Sequence, residues 1–184
     1  MVKDIKGAIA TVTSDTWFPR LKRDGILKIT SNIDKNYNCI AFSMRLGDRW
    51  VDPQSTAGHW WPLTITPTSM FKDELIKAFE ALKFKKCGDA KTEFWYDKVS
   101  LYYHPATGVW THAARIITPK EYHSKLGEGW DIHHSNGSVL HNPKFPDRSY
   151  GVEFQYMKRH KLFRFYSLWL MLSRLGANLG HSLF

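Results

Sequence analysis

With 184 residues, 43% apolar and 15% aromatic, the chain has material for one sizeable core, and two full domains would be crowded. Two cysteines, Cys39 and Cys87, exclude a disulfide framework and fit no Cys-x-x-Cys metal or redox spacing, so both read as free thiols in a reducing compartment. The net charge of +9 admits an anionic partner, but the excess is partly concentrated in Lys158, Arg159, Lys161, Arg164 and Arg174 near the C-terminus.

Charged residues in Met1 to Lys6 argue against a signal peptide. The longest charge-free apolar stretch, Phe165 to Ser173, is bracketed by Arg164 and Arg174 and falls short of the roughly 20 residues that span a bilayer. A cytoplasmic protein is the expectation, with any export signal-independent.

Along the chain, residues 1–37 carry two short apolar patches, Ala8 to Val12 and Ile26 to Ile29, which read as peripheral strands or an ordered arm. Cys39 to Leu46 has helical spacing, with Asn36 or Asn38 as cap and Gly47 as stop. Arg49 to Pro67, rich in Trp, Pro and Thr, reads as a long loop. Thr68 or Ser69 opens an amphipathic helix through Leu82, with Phe71, Leu75, Ala78, Phe79 and Leu82 on one face. Lys98 to Tyr103 and Val109 to Ile117 read as a hairpin around the turn His104 to Gly108. Tyr122 to Leu126 is a third strand, Gly127 to Pro146 a loop, and Tyr150 to Met157 a fourth strand. Lys161 to Phe184 has Leu162, Phe165, Leu168, Trp169, Leu172 and Leu175 at helical spacing and reads as a basic amphipathic helix. Helices followed by an antiparallel sheet make an α+β layout, with an arm at 1–37, a domain at 38–158 and a tail at 159–184.

One constellation suggests chemistry. Cys39 ends a polar run at the expected start of a helix, and His112 lies inside a strand 73 residues later. A thiol becomes a nucleophile when its surroundings lower its pKa and a base takes its proton. The plainer alternatives are an inert core thiol and a hydrogen-bonded strand histidine.

The run Cys39-Ile40-Ala41-Phe42-Ser43 resembles the Cys-Trp-Ala-Phe-Ser run of papain-like peptidases, with Ile40 in place of Trp. Across residues 38–158 the chain is closer to an uncharacterised bacterial domain family that reads Cys-Ile-Ala-Trp, then Thr-His-Ala-Ala-Arg, then Ser-Lys-Leu-Gly. Here these are Cys39 to Phe42, Thr111 to Arg115 and Ser124 to Gly127. The resemblance implies a papain-like fold with N-terminal helices on a small antiparallel sheet. It also implies Cys39 as nucleophile, His112 as base and a third polar residue orienting the ring: Asp131 by its charge, or Ser124 by its place before the Gly127 turn.

The papain-like oxyanion Gln, six residues before the Cys, is Ile33 here, leaving Asn38, Asn36 or Asn32 as substitutes that serve equally well as caps. Trp50, Trp60 and Trp61, with His59, either wall a substrate cleft or close the core. His133, His134, His141 and Asp131 match no familiar zinc spacing, so no metal is expected, and no organic cofactor is needed.

The leading expectation is a Cys-His hydrolase or acyltransferase of the peptidase or amidase type, with a peptide or peptidoglycan-like substrate. A bacterial effector with an immunity partner would fit it. The alternative is a non-catalytic module contacting a protein partner or an anionic membrane surface through 159–184, and nucleic acid is the weakest partner class.

Overall fold

In the computed structural model, the structure describes residues 4–53, 59–64, 67, 69–142, 144–146 and 149–165. The first apolar patch forms a helix, α1 (Ile5–Val12), and not a strand. Asp4 decides this locally, because its carboxylate accepts from Gly7 N at 2.9 Å and satisfies one of the free N–H groups of the first turn. The second patch contributes only the short edge strand β1 (Lys28–Ile29).

Helix α2 (Cys39–Met44) is capped by Asn38, whose side chain accepts from Ala41 N at 3.0 Å. It stops at Arg45, which takes the left-handed conformation (φ 64°) expected of Gly47. The Trp-rich segment holds two short parallel strands, β2 (Trp50–Val51) and β3 (His59–Trp60). Helix α3 (Lys72–Ala81) buries Leu75, Ile76, Ala78 and Phe79. Phe71 precedes it and stays 55% exposed.

The remaining strands are β4 (Lys85–Cys87), β5 (Tyr96–Tyr103), β6 (Trp110–Thr118), β7 (Glu121–Lys125), β8 (Asp131–His134) and β9 (Val152–His160). They join β1 in an antiparallel sheet of order β1-β8-β7-β6-β5-β9-β4. Strand β8 lies where a loop was expected, and β4 lies just beyond the expected helix end at Leu82. Of the expected C-terminal helix, Lys161–Phe163 form a short 3-10 turn, and residues 166–184, with Leu168, Trp169, Leu172 and Leu175, lie outside the described residues. No helix among the described residues is long and apolar enough to cross a membrane.

Strand alternation divides the sheet into two faces. Val99, Leu101, Ala113 and Met157 pack with α2 and α3 in the larger core. Tyr102, Ala114, Ile116 and Tyr122 face the other way, beside a second core built by α1, Phe18, Leu21, Leu126 and Ile132. Two arginines pin α2 to its face of the sheet. Arg115 donates to Phe42 O, with its guanidinium 3.7 Å from the Phe42 ring, and Arg159 donates to Met44 O at 3.2 Å. Phe42 O also accepts from Arg45 N at 3.1 Å, and Met44 O is one of the carbonyls that the end of a short helix leaves without a helical partner. The result is a mixed α+β fold with few helices and a mostly antiparallel sheet.

Candidate functional site

Cys39 is the first residue of α2 and is buried, with 7% of its surface exposed. Burial pushes its thiol up to about 11, although the backbone N–H groups of Ala113, Ile40 and Cys39 all favour the thiolate. The thiol therefore lies against the peptide that follows His112.

His112 is fully buried and sits opposite Tyr102 in register, on the sheet face away from α2. Its ring stacks on Tyr150 at 4.0 Å between centroids. Burial, with His134 nearby, holds it well below the usual histidine range, so it is neutral at pH 7. Its Nε2 lies 3.0 Å from Ser124 Oγ, which in turn lies 2.8 Å from His134 Nε2. All three residues are fully buried and share one sheet face. His112 Nδ1 is buried without a hydrogen-bond partner, so it is not bonded to the Cys39 thiol.

The proton positions in this chain follow from its far end. His134 Nδ1 meets Asn136 O at 3.3 Å. A carbonyl can only accept, so Nδ1 carries the hydrogen. Burial holds His134 at about 4, hence neutral, and its Nε2 is a lone pair. Ser124 must then donate to His134, and its oxygen must accept from His112 Nε2–H. By elimination, His112 Nδ1 is a bare lone pair. The Asn136 carbonyl thus selects, through two intermediates, the tautomer of a histidine two strands away.

Ser124, and not Asp131, is the group that orients His112. Asp131 lies on the opposite sheet face, accepting from Tyr37 Oη at 2.7 Å, with Lys125 Nζ at 3.8 Å. Burial raises its carboxyl, against the opposing pull of Tyr37, Lys125 and Arg115. Lys125 is fully buried, donates to Gly129 O, and its charge favours the Cys39 thiolate.

The two oxyanion candidates differ in setting. Asn38 caps α2, accepting from Ala41 N, and donates one of its two amide hydrogens to Val51 O at 2.8 Å. Asn36 is exposed and belongs to an open polar groove of about 560 Å³ with Arg49, Trp50, Asp52 and His59. Trp50 stacks on His59 in that groove. Trp61 packs on Trp110 inside the larger core, and Trp60 packs against the same core. Of the three tryptophans only Trp50 lines the groove.

Sequence reasoning weighed His134 only as a metal ligand and missed its place beside Ser124, signalled by its even spacing from Ile132 along a strand, and it missed that Arg115 anchors α2. It also missed Glu121 and His123. They lie on one face of β7 with His133 beside them, and their ligand atoms fall within 4.8 Å of one another.

A family model described as a domain of unknown function, DUF7689, matches residues 28–158. No curated protein and no solved structure matches the chain. The matched span opens at Lys28 in β1 and closes at Lys158 in β9, so it takes in Cys39, the His112–Ser124–His134 chain and every strand of the large sheet. The chain belongs to the DUF7689 family.

Proposed function

We propose that this protein is a papain-like cysteine hydrolase or acyltransferase, with Cys39 as nucleophile and His112 as general base. The observation that carries the reading is the bare, buried Nδ1 of His112. A buried polar atom without a partner is costly, and this one belongs to a ring held by Ser124 and His134, on the residue whose following peptide touches the thiol.

In this reading the His112 ring, held at rest on the sheet face away from α2 and unbonded to Cys39, swings to the thiol, and Nδ1 takes its proton as Sγ attacks an amide or thioester carbonyl. The imidazolium returns that proton to the departing amine or thiol, and water or a second acceptor releases the thioester. The resting site holds a neutral thiol and a neutral imidazole, so proton transfer accompanies substrate entry. A peptide or peptidoglycan-like amide is the substrate class proposed.

Incubation with a p-nitrophenyl acyl ester tests the reading. A burst of one equivalent of nitrophenol, with the acyl mass on Cys39, is the expected result. A burst that persists in Cys39→Ala, or acylation confined to Cys87, defeats it.

A second reading, a non-catalytic binding module, is favoured by the burial of Cys39 and by the exposed residues Phe94 (78%), Trp95 (61%), Leu162 (72%) and Phe165 (75%). These lie close to Lys161, which donates to Phe94 O, and to Arg164. It predicts no burst, together with binding to anionic vesicles or a protein partner that is lost on Lys161→Glu.

A further inference from the structure

Two imidazoles and one carboxylate converge on the strand pair β7–β8, on the sheet face that carries α2. His123 and His133 are paired directly across the two strands, and Glu121 lies two residues before His123 on the same face. The two rings stack at 3.4 Å between centroids. His123 Nε2 lies 3.4 Å and His133 Nδ1 lies 3.3 Å from the same oxygen, Glu121 Oε1. The three side chains are between 21% and 35% exposed, open enough for an ion to enter.

A nitrogen-to-oxygen hydrogen bond settles near 2.9–3.0 Å, and the 3.4 Å contact of His123 with Glu121 is a long one. Bonds of about 2.0–2.1 Å to a tetrahedral zinc-type ion place neighbouring ligand atoms about 3.3–3.4 Å apart. Both spacings here fall on the second figure. Each imidazole offers a lone pair at neutral pH, and no anion other than Glu121 is needed to hold the pair together.

Two cations flank the row. Arg115 is in register with His123 and Lys28 with His133. The Arg115 guanidinium is turned to the Phe42 carbonyl and ring, and Lys28 is exposed, so neither closes the space between the ligand atoms.

We propose that Glu121, His123 and His133 form a site for one divalent transition ion of the zinc type. Two imidazoles and a carboxylate match the donor preference of such ions and leave a fourth position open to water or to a ligand. Magnesium and calcium, which want six or more oxygens, do not fit this set.

The test uses the untagged full chain after chelator treatment. Zn²⁺ is titrated against a chromophoric competitor, and Co²⁺ is followed by its visible absorption as a report on geometry. One ion per chain is expected, with Co²⁺ giving the intense bands of a four-coordinate site. Affinity should fall by more than about tenfold in His133→Ala and in Glu121→Gln, since loss of outer-shell partners alone costs 10–100-fold. Cys87→Ser and His141→Ala should leave it unchanged, and Mg²⁺ should not compete. If His133→Ala alters the far-UV circular dichroism, His123→Gln takes its place. Absence of stoichiometric binding, or binding that survives these substitutions or tracks Cys87, overturns the proposal.

Discussion

Replacing Ser124 with alanine removes a single oxygen and disconnects two buried rings. His112 Nε2 and His134 Nε2 both lose their partner, at 3.0 and 2.8 Å, in a place where all three side chains are fully buried. A buried polar atom left unpaired costs about 1–3 kcal/mol. Two such atoms sharing one hydroxyl give an expected loss of about 2–4 kcal/mol. Urea unfolding at pH 7.5 measures it as a fall in midpoint at unchanged slope. Ser43 supplies the internal comparison, because its hydroxyl is equally buried but has no hydrogen-bond partner. Ser43→Ala should therefore be neutral or slightly stabilising. A loss below about 0.5 kcal/mol for Ser124→Ala, or equal losses for the two serines, would refute the directed chain from Asn136 to His112.

Acid should weaken the fold in a window set by the buried histidines. Their folded values lie below the ordinary 6.5, so the unfolded chain binds protons first and stability falls as pH drops from about 6.5 toward 4. His134 alone contributes on the order of 3 kcal/mol across that range, and urea midpoints at pH 7, 5.5 and 4.5 should show a steep decline that His134→Gln flattens. Asp97 acts lower. Burial raises its carboxyl, but Arg164 and Arg45 outweigh burial and hold it at about 2, so its contribution is complete above about pH 4 and lost between 4 and 2. With two of its three arginine partners, Arg45 and Arg164, more than a third exposed and the buried Arg159 at 3.7 Å, about 1–2 kcal/mol is expected after screening. Asp97→Asn should remove that part of the acid transition, and an unchanged profile would count against the pairing. Gly151 has φ 73°, and a Cβ there would lie 2.0 Å from Tyr103 O. Gly151→Ala should cost more than about 2 kcal/mol, lowering the thermal midpoint, and an unshifted midpoint would mean that the backbone is free to move there.

What could be read in advance follows the strength of local periodicity. Leu75, Ala78 and Phe79 repeat at helical spacing and α3 forms over them. Strands β5 and β6 alternate around a short turn and pair as expected. The first apolar patch is too short for period alone to separate strand from helix, and Asp4, a residue outside it, decides the matter. Strand β4, Lys85-Lys86-Cys87, is an edge strand with two exposed lysines and offers no apolar signal. Strand β8 carries only one apolar residue, Ile132, because its other buried members are polar groups with partners supplied by neighbouring strands. The same physics governs the site. Asp131 has the charge that suits an orienting group, yet the alternation of β8 sends it to the face of Lys125 and Tyr37. Ser124 lands on the face of His112 because β7 alternates in step with β6. Asn38 met the cap expectation and also ties α2 to β2, accepting from Ala41 N and donating to Val51 O.

The central claim is that His112 serves Cys39 as a base, and iodoacetamide labelling read by mass spectrometry tests it most directly. Cys39 is followed from pH 6.5 to 10.5 in the native protein and in His112→Ala, with Cys87 as internal reference. A resting thiol held near 11 is neutral at pH 7.5 in both proteins, so a difference between them there reports proton removal by the imidazole. The account predicts labelling of Cys39 more than about tenfold faster in the native protein at pH 7.5, with the two rates converging as pH approaches the thiol's own value. A ratio near one at every pH would contradict the base role and leave the binding-module reading in its place.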